Sequence, residues 1–225
     1  MDPLEAKAYR GKFDRSMTRR LSARRERLLI ERAVDTAIEL LPPVLESREG
    51  LLLLDFPCGA GRFAPLLAER VSQYQPADHS PHMLDLCHQA LTDAGLVDRS
   101  LEGVQADARK MPFEDESFDL GCCIRLLHHF QDPEERSRIL KEFRRVNRGP
   151  LVLTWLDGDS PKQRLHELRC RLSGRASRRA PMSQQQIQDE TGAAGYQLYR
   201  SWKLSGLFSG QAVGVFEAVG LPPAA

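Results

Sequence analysis

The stretch that most constrains the fold is residues 51–64, with the sequence LLLLDFPCGAGRFA. Its four consecutive leucines predict a short buried β-strand that ends at Asp55. Gly59 and Gly61 then permit a tight turn and a close approach of a ligand to the backbone. A helix is expected from about Arg62. A strand, a glycine turn and a helix in this order are typical of the first unit of a nucleotide-binding α/β protein.

The acidic residue at the end of this strand helps to decide which nucleotide binds. Gly59, Gly61 and Ala64 fit the G-x-G-x-x-A form of the dinucleotide fingerprint, so NAD is one candidate. Asp55 argues against NAD, because a carboxylate beside a helix N-terminus would repel a pyrophosphate. The same carboxylate suits S-adenosylmethionine (SAM), which carries an ammonium and a sulfonium and no phosphate. The alternative is that Asp55 merely caps the turn.

The stretch resembles motif I of the class I SAM-dependent methyltransferases, whose usual form is D-x-G-x-G-x-G. Pro57 stands where the family has its first glycine, and because proline fixes a negative φ, this position does not need a positive φ here. The resemblance implies an α/β, Rossmann-like fold: a seven-stranded, mostly parallel sheet with an antiparallel last strand and helices on both faces. It also implies that the loop residues Pro57, Cys58, Gly59 and Gly61 contact SAM.

A second predicted strand, from about residue 71, ends at Asp78. This residue lies 17 positions after the second loop glycine, close to the spacing at which an acidic side chain accepts hydrogen bonds from ribose hydroxyls. Residues 78–84, DHSPHML, resemble the family's D-x-S-P-x-M-L, in which Ser80 would cap the next helix. The resemblance implies that His79 and Met83 lie beside the cofactor, although Met83 could equally be a core residue.

A third carboxylate, Asp107, follows a strand predicted over residues 101–106. The family uses this aspartate to accept a hydrogen bond from the adenine amino group, and the next backbone N–H, here that of Ala108, contacts the ring. Residues 110–119, KMPFEDESFD, resemble the family's link into the fourth strand. Asp55, Asp78 and Asp107 should therefore share the carboxyl edge of a parallel sheet, where ligands bind in open α/β folds.

His128 and His129 follow the predicted fourth strand, residues 118–124, on the side where the acceptor lies in this fold. Either imidazole could take a proton near neutral pH, although methyl transfer from an activated donor depends mainly on proximity. The alternative is that both rings pack or hydrogen-bond locally. Arg125, at the strand end, could hold an anionic acceptor or contact the cofactor through its backbone.

Cys122 and Cys123 precede these histidines, so a zinc site formed by the four residues is a further alternative. Adjacent residues of a strand point to opposite faces, and two such thiols cannot readily reach one zinc ion. We therefore expect both cysteines to be small core residues and expect no metal.

The segments outside the motifs suggest how the chain is divided. Apolar residues at helical spacing precede the first strand, namely Ile30, Ala33, Val34, Ala37, Ile38 and Leu41. We expect a basic N-terminal cap over residues 1–45 and a SAM-binding domain over residues 46–225. Residues 157–182 interrupt the alternation of strands and helices as one helix plus a basic loop, and in this family such an insertion builds the substrate lid. Tyr9 is, by resemblance, a residue that closes over the cofactor, or else a packing aromatic.

The charge is unevenly distributed along the chain. The net charge is +1, but residues 1–32 hold ten Lys/Arg against five Asp/Glu, and residues 160–182 hold seven against one. Arg175, Arg178 and Arg179 could form an anion-binding rim, since arginine suits phosphates and carboxylates; alternatively these residues are solvated. RNA binding would favour interleaved aromatic residues, and residues 157–182 contain none.

The cysteine count and the hydropathy pattern complete the expectations. Five cysteines without CxxC spacing favour a reducing, cytoplasmic setting, and no apolar stretch has the length of a signal-peptide core or of a membrane span. The sequence thus predicts a SAM-dependent methyltransferase acting on oxygen or nitrogen of a small, anionic acceptor. An RNA-directed methyltransferase and a non-catalytic SAM-binding protein remain alternatives.

Overall fold

The computed structural model describes residues 17–42, 50–173, 179–204 and 210–219. Its strands are β1 (Leu52–Asp55), β2 (Gln73–Asp78), β3 (Val104–Gln105), β4 (Leu120–Cys123), β5 (Leu151–Leu156), β6 (Tyr196–Lys203) and β7 (Gln211–Ala218). They form one sheet in the order β3-β2-β1-β4-β5-β7-β6. Strands β1 to β5 pair in parallel, and β7 runs antiparallel to both of its neighbours. The predicted mostly parallel sheet with an antiparallel last strand is confirmed.

Helices cover both faces of the sheet. They are α1 (Met17–Glu39), α2 (Ala64–Ala68), α3 (Pro81–Asp93), α4 (Pro133–Val146), α5 (Pro161–Ser173) and α6 (Gln184–Ala193). One core holds apolar residues of α1, α2 and α3, and the other holds those of α4 and α6. Cys122 belongs to the first core and Cys123 to the second. Both thiols are fully buried, which confirms them as core residues.

The apolar face predicted for the first helix is buried as a whole, from Ile30 to Leu41. It packs against residues of the sheet, including Leu53 and Val215, in a single core. The helix is longer than predicted, since α1 starts at Met17. The division of the chain near residue 45 stays a prediction.

Two element boundaries differ from the sequence prediction. Helix α2 begins at Ala64 rather than near Arg62, because the chain first completes a turn in which the Gly61 carbonyl accepts from the Ala64 N–H at 3.3 Å. Strand β3 is limited to Val104–Gln105, shorter than residues 101–106. Its flanks are held to β2 by single bonds, one of them from the Ala106 N–H to the Asp78 carbonyl at 3.0 Å.

Helices α4 and α6 each begin at a residue whose side chain caps the helix. Ser183 forms a capping box with Gln186 at the start of α6, and Asp132 accepts from the Glu134 N–H at the start of α4. The prediction for Ser80 is wrong, because its side chain makes no cap bond. Asp78 Oδ1 accepts from the Ser80 N–H instead, at 2.9 Å.

The insertion after β5 contains the predicted helix, α5. Nearly all of its described side chains are exposed, and Gln163 is the buried exception. Within the described part of the chain, no helix has both the length and the apolar character needed to cross a membrane.

Candidate functional site

A cavity of about 910 Å³ opens at the carboxyl edge of the sheet, beyond the ends of β1, β2, β4 and β5. The loop between β1 and α2 forms one wall. Residues after β4 and β5 form another, and α1, α3 and α5 border the cavity. This edge is where the sequence places the ligand of an open α/β fold.

Most of the predicted site residues meet in this cavity. Its lining includes Asp55, Pro57, Cys58, Gly59, Gly61, Asp78, Met83, Arg125, His128, His129 and Arg179. Among the described residues, His79, Asp107 and Ala108 do not line it. Tyr9, Arg175 and Arg178 lie outside the described residues.

Asp55 is the most constrained carboxyl of the cavity. It is 2% exposed, and its Oδ2 accepts a hydrogen bond of 2.7 Å from the hydroxyl of Tyr74. Its Oδ1 is buried and has no hydrogen-bond partner among the described residues. Burial raises the pKa of Asp55 to about 7, against the opposing effect of the Tyr74 hydrogen bond. A cationic donor at Oδ1 would satisfy the carboxylate and favour its charged form.

Asp78 holds the glycine loop in place. Its Oδ2 accepts from the Gly59 N–H at 2.9 Å, and its Oδ1 accepts from the Ser80 N–H at the start of α3. The Cys58 N–H adds a bond to the carbonyl of Ala77 in β2 at 2.9 Å. Each carboxylate oxygen of Asp78 keeps a further lone pair, which can accept from a ligand hydroxyl.

The two loop glycines differ in the space around them. Gly59 has φ +52°, and a Cβ built there meets nothing within 4 Å, so the loop presents bare backbone. Gly61 has φ +71°, and a Cβ there would lie 2.8 Å from Cys87 Cα and 2.9 Å from Ala90 Cβ. Positive φ favours glycine at both positions, and at Gly61 helix α3 also leaves no room for a side chain.

Asp107 lies two residues after the end of β3, and its carboxylate is engaged by Arg109. Arg109 binds it through Nε at 3.0 Å and Nη2 at 2.7 Å, and the Arg109 N–H adds a bond of 2.9 Å. These bonds lower the pKa of Asp107 to about 2. Arg109 also pairs with Glu135 at 2.7 Å. The predicted contact of Asp107 with adenine stays a prediction.

A buried glutamate of α1 joins two walls of the cavity. Glu26 is 7% exposed. It pairs with Arg62 of the glycine loop at 2.7 Å and with Nε of Arg125 at 2.8 Å. Sequence reasoning missed Glu26, because a single acid in a strongly basic segment carries no motif. These two ion pairs hold α1 against the glycine loop and against the turn after β4.

Arg125 itself has an unusual backbone. Its φ is +61°, which is uncommon for a residue with a side chain. Its N–H donates to Thr154 Oγ1 in β5 at 2.7 Å, and its Nη2 reaches Gln211 Oε1 at 3.3 Å. The turn after β4 is thus held from the neighbouring strands, and it directs the following residues toward the cavity.

His128 and His129 lie side by side, with ring centroids 4.2 Å apart. His128 is 5% exposed, and burial, with His129, Arg179 and Arg125 nearby, lowers its pKa to about 3. His129 is exposed at the cavity, and partial burial, with Arg179 and Arg125 nearby, lowers its pKa. Both imidazoles are therefore neutral at physiological pH. The segment after α5 is fixed to them, since the Ala180 N–H donates to the His128 carbonyl at 2.9 Å.

Charge is separated across the cavity. The carboxyls of Asp55, Asp78 and Asp93 line the side formed by the glycine loop and α3. Arg62 also lines this side, and its guanidinium pairs with Glu26 at 2.7 Å. The cations of three lining residues, Arg125, Lys162 and Arg179, lie on the side formed by the segments after β4 and β5. The same side also presents the apolar residues Ile124, Leu126 and Leu156 to the cavity. Such a site suits a cationic ligand at one end and an anionic one at the other.

The residues at the acidic end fit SAM better than a dinucleotide. The unpartnered Oδ1 of Asp55 suits an ammonium, and the lone pairs of Asp78 suit ribose hydroxyls. The open backbone at Gly59 leaves room for the ligand to approach. A pyrophosphate would meet the buried carboxyl of Asp55 instead of a cation.

Comparison with known proteins agrees with this geometry. Residues 54–150 match the model of a methyltransferase domain. That span runs from the end of β1 to the start of β5, so it contains the glycine loop, Asp78 and both histidines.

The names of similar proteins refer to diverse methyl acceptors. The chain is 30% identical to a probable tRNA methyltransferase 9B of Homo sapiens, over 45% of this chain and 20% of that protein. It is 30% identical to a ubiquinone/menaquinone biosynthesis C-methyltransferase of Shewanella frigidimarina, over 56% of this chain and 48% of that protein. The chain thus spans less than half the length of these relatives.

Solved structures share the fold. The magnesium protoporphyrin IX methyltransferase of Synechocystis PCC 6803, solved with bound S-adenosylhomocysteine (SAH), aligns with a TM-score of 0.64. The two chains are 18% identical, and the alignment covers 85% of this chain and 84% of that one.

Proposed function

We propose that the chain is a class I SAM-dependent methyltransferase that transfers a methyl group from SAM to an oxygen or nitrogen of a small anionic acceptor. The match of residues 54–150 to the model of a methyltransferase domain supports this class of enzyme. The separation of charge across one cavity is the observation that carries this proposal. A cationic donor and an anionic acceptor would each meet the opposite sign within this one cavity, which also has apolar lining residues.

Residues of the acidic end would hold the cofactor. Asp55 would receive its ammonium, Asp78 would receive its ribose hydroxyls, and the Gly59 backbone would lie against it. Met83, half-buried on α3, offers an apolar side chain to the same end. When bound, SAM supplies an activated methyl group on a sulfonium.

Residues of the basic end would hold the acceptor. Arg179 and Lys162 line this end, and Arg125 is fixed there by its bonds to Glu26 and Gln211. Arginine binds carboxylates and phosphates through two parallel N–H donors, so these side chains favour a carboxylate or phosphate on the acceptor. Holding both reactants in line would supply most of the rate enhancement.

His129 is the better candidate for a general base. Its imidazole is neutral and accessible, so it can take a proton from an acceptor hydroxyl or amine. His128 is a weaker candidate, because an imidazole whose pKa lies near 3 holds a proton poorly. Its burial favours a role in packing beneath His129.

Transfer of a labelled methyl group from SAM tests the proposal. A panel of small acceptors that carry a carboxylate or phosphate, with matched neutral analogues, is incubated with the wild type and with Arg179→Gln. We expect label on anionic acceptors, and a higher KM for them in the variant. In His129→Asn we expect a lower kcat at nearly constant KM.

Transfer RNA belongs in the same panel. Label on RNA and on none of the small molecules would replace the proposed acceptor by a nucleic acid. Binding of SAH without transfer to any acceptor would favour a non-catalytic SAM-binding protein.

A further inference from the structure

Helix α5 carries a leucine stripe that stays exposed in the part of the chain that the structure describes. Leu165, Leu168 and Leu172 are 48%, 52% and 80% exposed. Their spacing of three and four residues places them on one face of the helix, within an arc of about 60°. An isolated exposed leucine is ordinary, but three on one short helix form a continuous apolar surface.

The opposite face of α5 is turned toward the protein. Gln163 is buried and Cys170 is half-buried, and the helical period places both roughly 180° from the leucine stripe. Gln163 also lines the cavity. Helix α5 thus turns Gln163 and Cys170 toward the protein, and the leucines face outward.

Basic residues flank the stripe on both sides. Arg164 lies on one flank, and Lys162 and Arg169 lie on the other, all three exposed. Arg164 also approaches the Asp159 carboxylate, at 3.7 Å. An apolar stripe between rows of Lys and Arg is the pattern of a helix that lies in a lipid interface, because long basic side chains reach the headgroups while the apolar face is buried.

A second helix at the cavity mouth has a similar surface. Leu21 and Leu28 of α1 are both 54% exposed, one helical repeat of seven residues apart. Arg24 and Arg25 lie between them along the helix and are exposed. Ser22 of α1 lines the cavity, as Lys162 of α5 does. Two of the helices that border the cavity, α1 and α5, thus combine exposed leucines with arginines.

We propose that the leucine stripe of α5 docks the protein on the surface of an anionic lipid bilayer, with the cavity mouth beside the membrane. The basic residues beside the stripe favour a lipid surface over a second copy of the chain. Arg164 and Arg169 would meet lipid phosphates on a bilayer, whereas a second copy would bring like charges together. The same contact would give an amphiphilic acceptor a short path into the cavity. The proposal concerns binding and does not depend on methyl transfer.

Vesicle flotation tests the proposal with the full chain. Vesicles of phosphatidylglycerol and phosphatidylcholine are compared with vesicles of phosphatidylcholine alone. We expect binding to the anionic vesicles that weakens at high salt. The triple variant Leu165→Ser/Leu168→Ser/Leu172→Ser should lower the partition coefficient by about tenfold or more. Arg164→Gln/Arg169→Gln should lower it by about tenfold.

Leu101→Ser provides the matched control. Leu101 is 38% exposed and lies before β3, away from the cavity lining, so its removal should leave vesicle binding unchanged. Retained SAH binding shows that each variant is folded. Absence of wild-type binding to anionic vesicles would overturn the proposal, and so would equal binding by the triple variant. A wild-type dimer that the triple variant converts to a monomer would identify the stripe as a subunit interface instead.

Discussion

The hydroxyl of Tyr74 in β2 donates a 2.7 Å hydrogen bond to Oδ2 of Asp55 at the end of β1. This bond satisfies one oxygen of a buried carboxyl and leaves Oδ1 without a partner among the described residues. Burial alone would favour the neutral acid, whereas Tyr74 favours the charged form. The pKa of Asp55 therefore lies close to neutral pH. A cation bound at Oδ1 would satisfy this oxygen and favour the charged form of the carboxyl.

Asp55→Asn should have opposite effects on ligand binding and on stability. SAH affinity should fall by about tenfold to a hundredfold, because a charge-assisted hydrogen bond to the ammonium is lost. The free energy of unfolding without ligand, measured at pH 8.5, should rise by about 1 kcal/mol, since a desolvated carboxylate is removed. Calorimetry and thermal unfolding measure the two effects. Asp98→Asn, at an exposed position, should change neither, and equal affinity in Asp55→Asn would exclude the ammonium contact.

The affinity for SAH should rise with pH around neutrality. Asp55 has a pKa of about 7 without ligand, and only its ionised form attracts the ammonium, so the affinity should be lost as the pH falls below about 7. Tyr74→Phe removes a hydrogen bond that lowers this pKa, so the midpoint should move to higher pH. Calorimetric titrations between about pH 5.5 and 8.5 measure this profile. A flat profile in the wild type would contradict it.

The same raised pKa has a consequence for the protein without ligand. Between about pH 4 and pH 7, Asp55 is protonated in the folded state but ionised in the unfolded chain. The contribution of Asp55 to stability is therefore full below about pH 4 and is lost as the pH rises through about 7. Bound SAH should favour the ionised form of Asp55, so the stability of the complex should rise with pH instead of falling.

Gly61→Ala should destabilise the protein far more than Gly95→Ala. Both glycines have similar positive φ values, +71° and +69°, so the cost of left-handed backbone is matched. A Cβ at Gly61 would lie 2.8 Å from Cys87 Cα, whereas one at Gly95 meets nothing within 4 Å. We expect a loss of about 1 kcal/mol for Gly95→Ala and of about 3 kcal/mol for Gly61→Ala, measured by urea unfolding. Equal losses would show that α3 does not pack tightly on the loop.

Glu26→Gln should loosen α1 from the cavity. Glu26 is buried between Arg62 and Arg125, and its neutralisation leaves two guanidinium groups facing an amide. We expect a loss of about 1–3 kcal/mol, below the usual cost of breaking a fully buried pair, because both arginines are partly exposed. Glu31→Gln lies on the same helix in a pair with Arg70, and the Glu31 side chain is 36% exposed against 9% for Glu26, so it should cost less than about 1 kcal/mol. Faster hydrogen exchange in α1 of Glu26→Gln alone would show the loosening directly.

Features encoded locally could be predicted from the sequence. Four leucines before Asp55 specify a buried strand, and Gly59 and Gly61 specify the turn, because few other residues adopt positive φ. The capping box at Ser183 was equally readable, since its bonds join residues three positions apart.

Features that depend on distant partners could not be predicted. The acceptor of the Tyr74 hydroxyl is 19 residues away, and Glu26 pairs with Arg125 across 99 residues. Asp107 matches a family motif, yet Arg109, two residues later, takes its carboxylate. Ser80 has the residue type of a cap, but Asp78 takes the bond to the helix start. In each case competition between nearby side chains decides the contact, and a linear pattern does not record it.

Calorimetric titration of the wild-type protein with SAH, with NAD as the control ligand, tests the central claim most directly. The separation of charge in the cavity predicts saturable binding of one SAH per chain and no binding of NAD, because Asp55 attracts an ammonium and repels a pyrophosphate. Binding of NAD in place of SAH, or of neither, would contradict the assignment of this cavity to SAM.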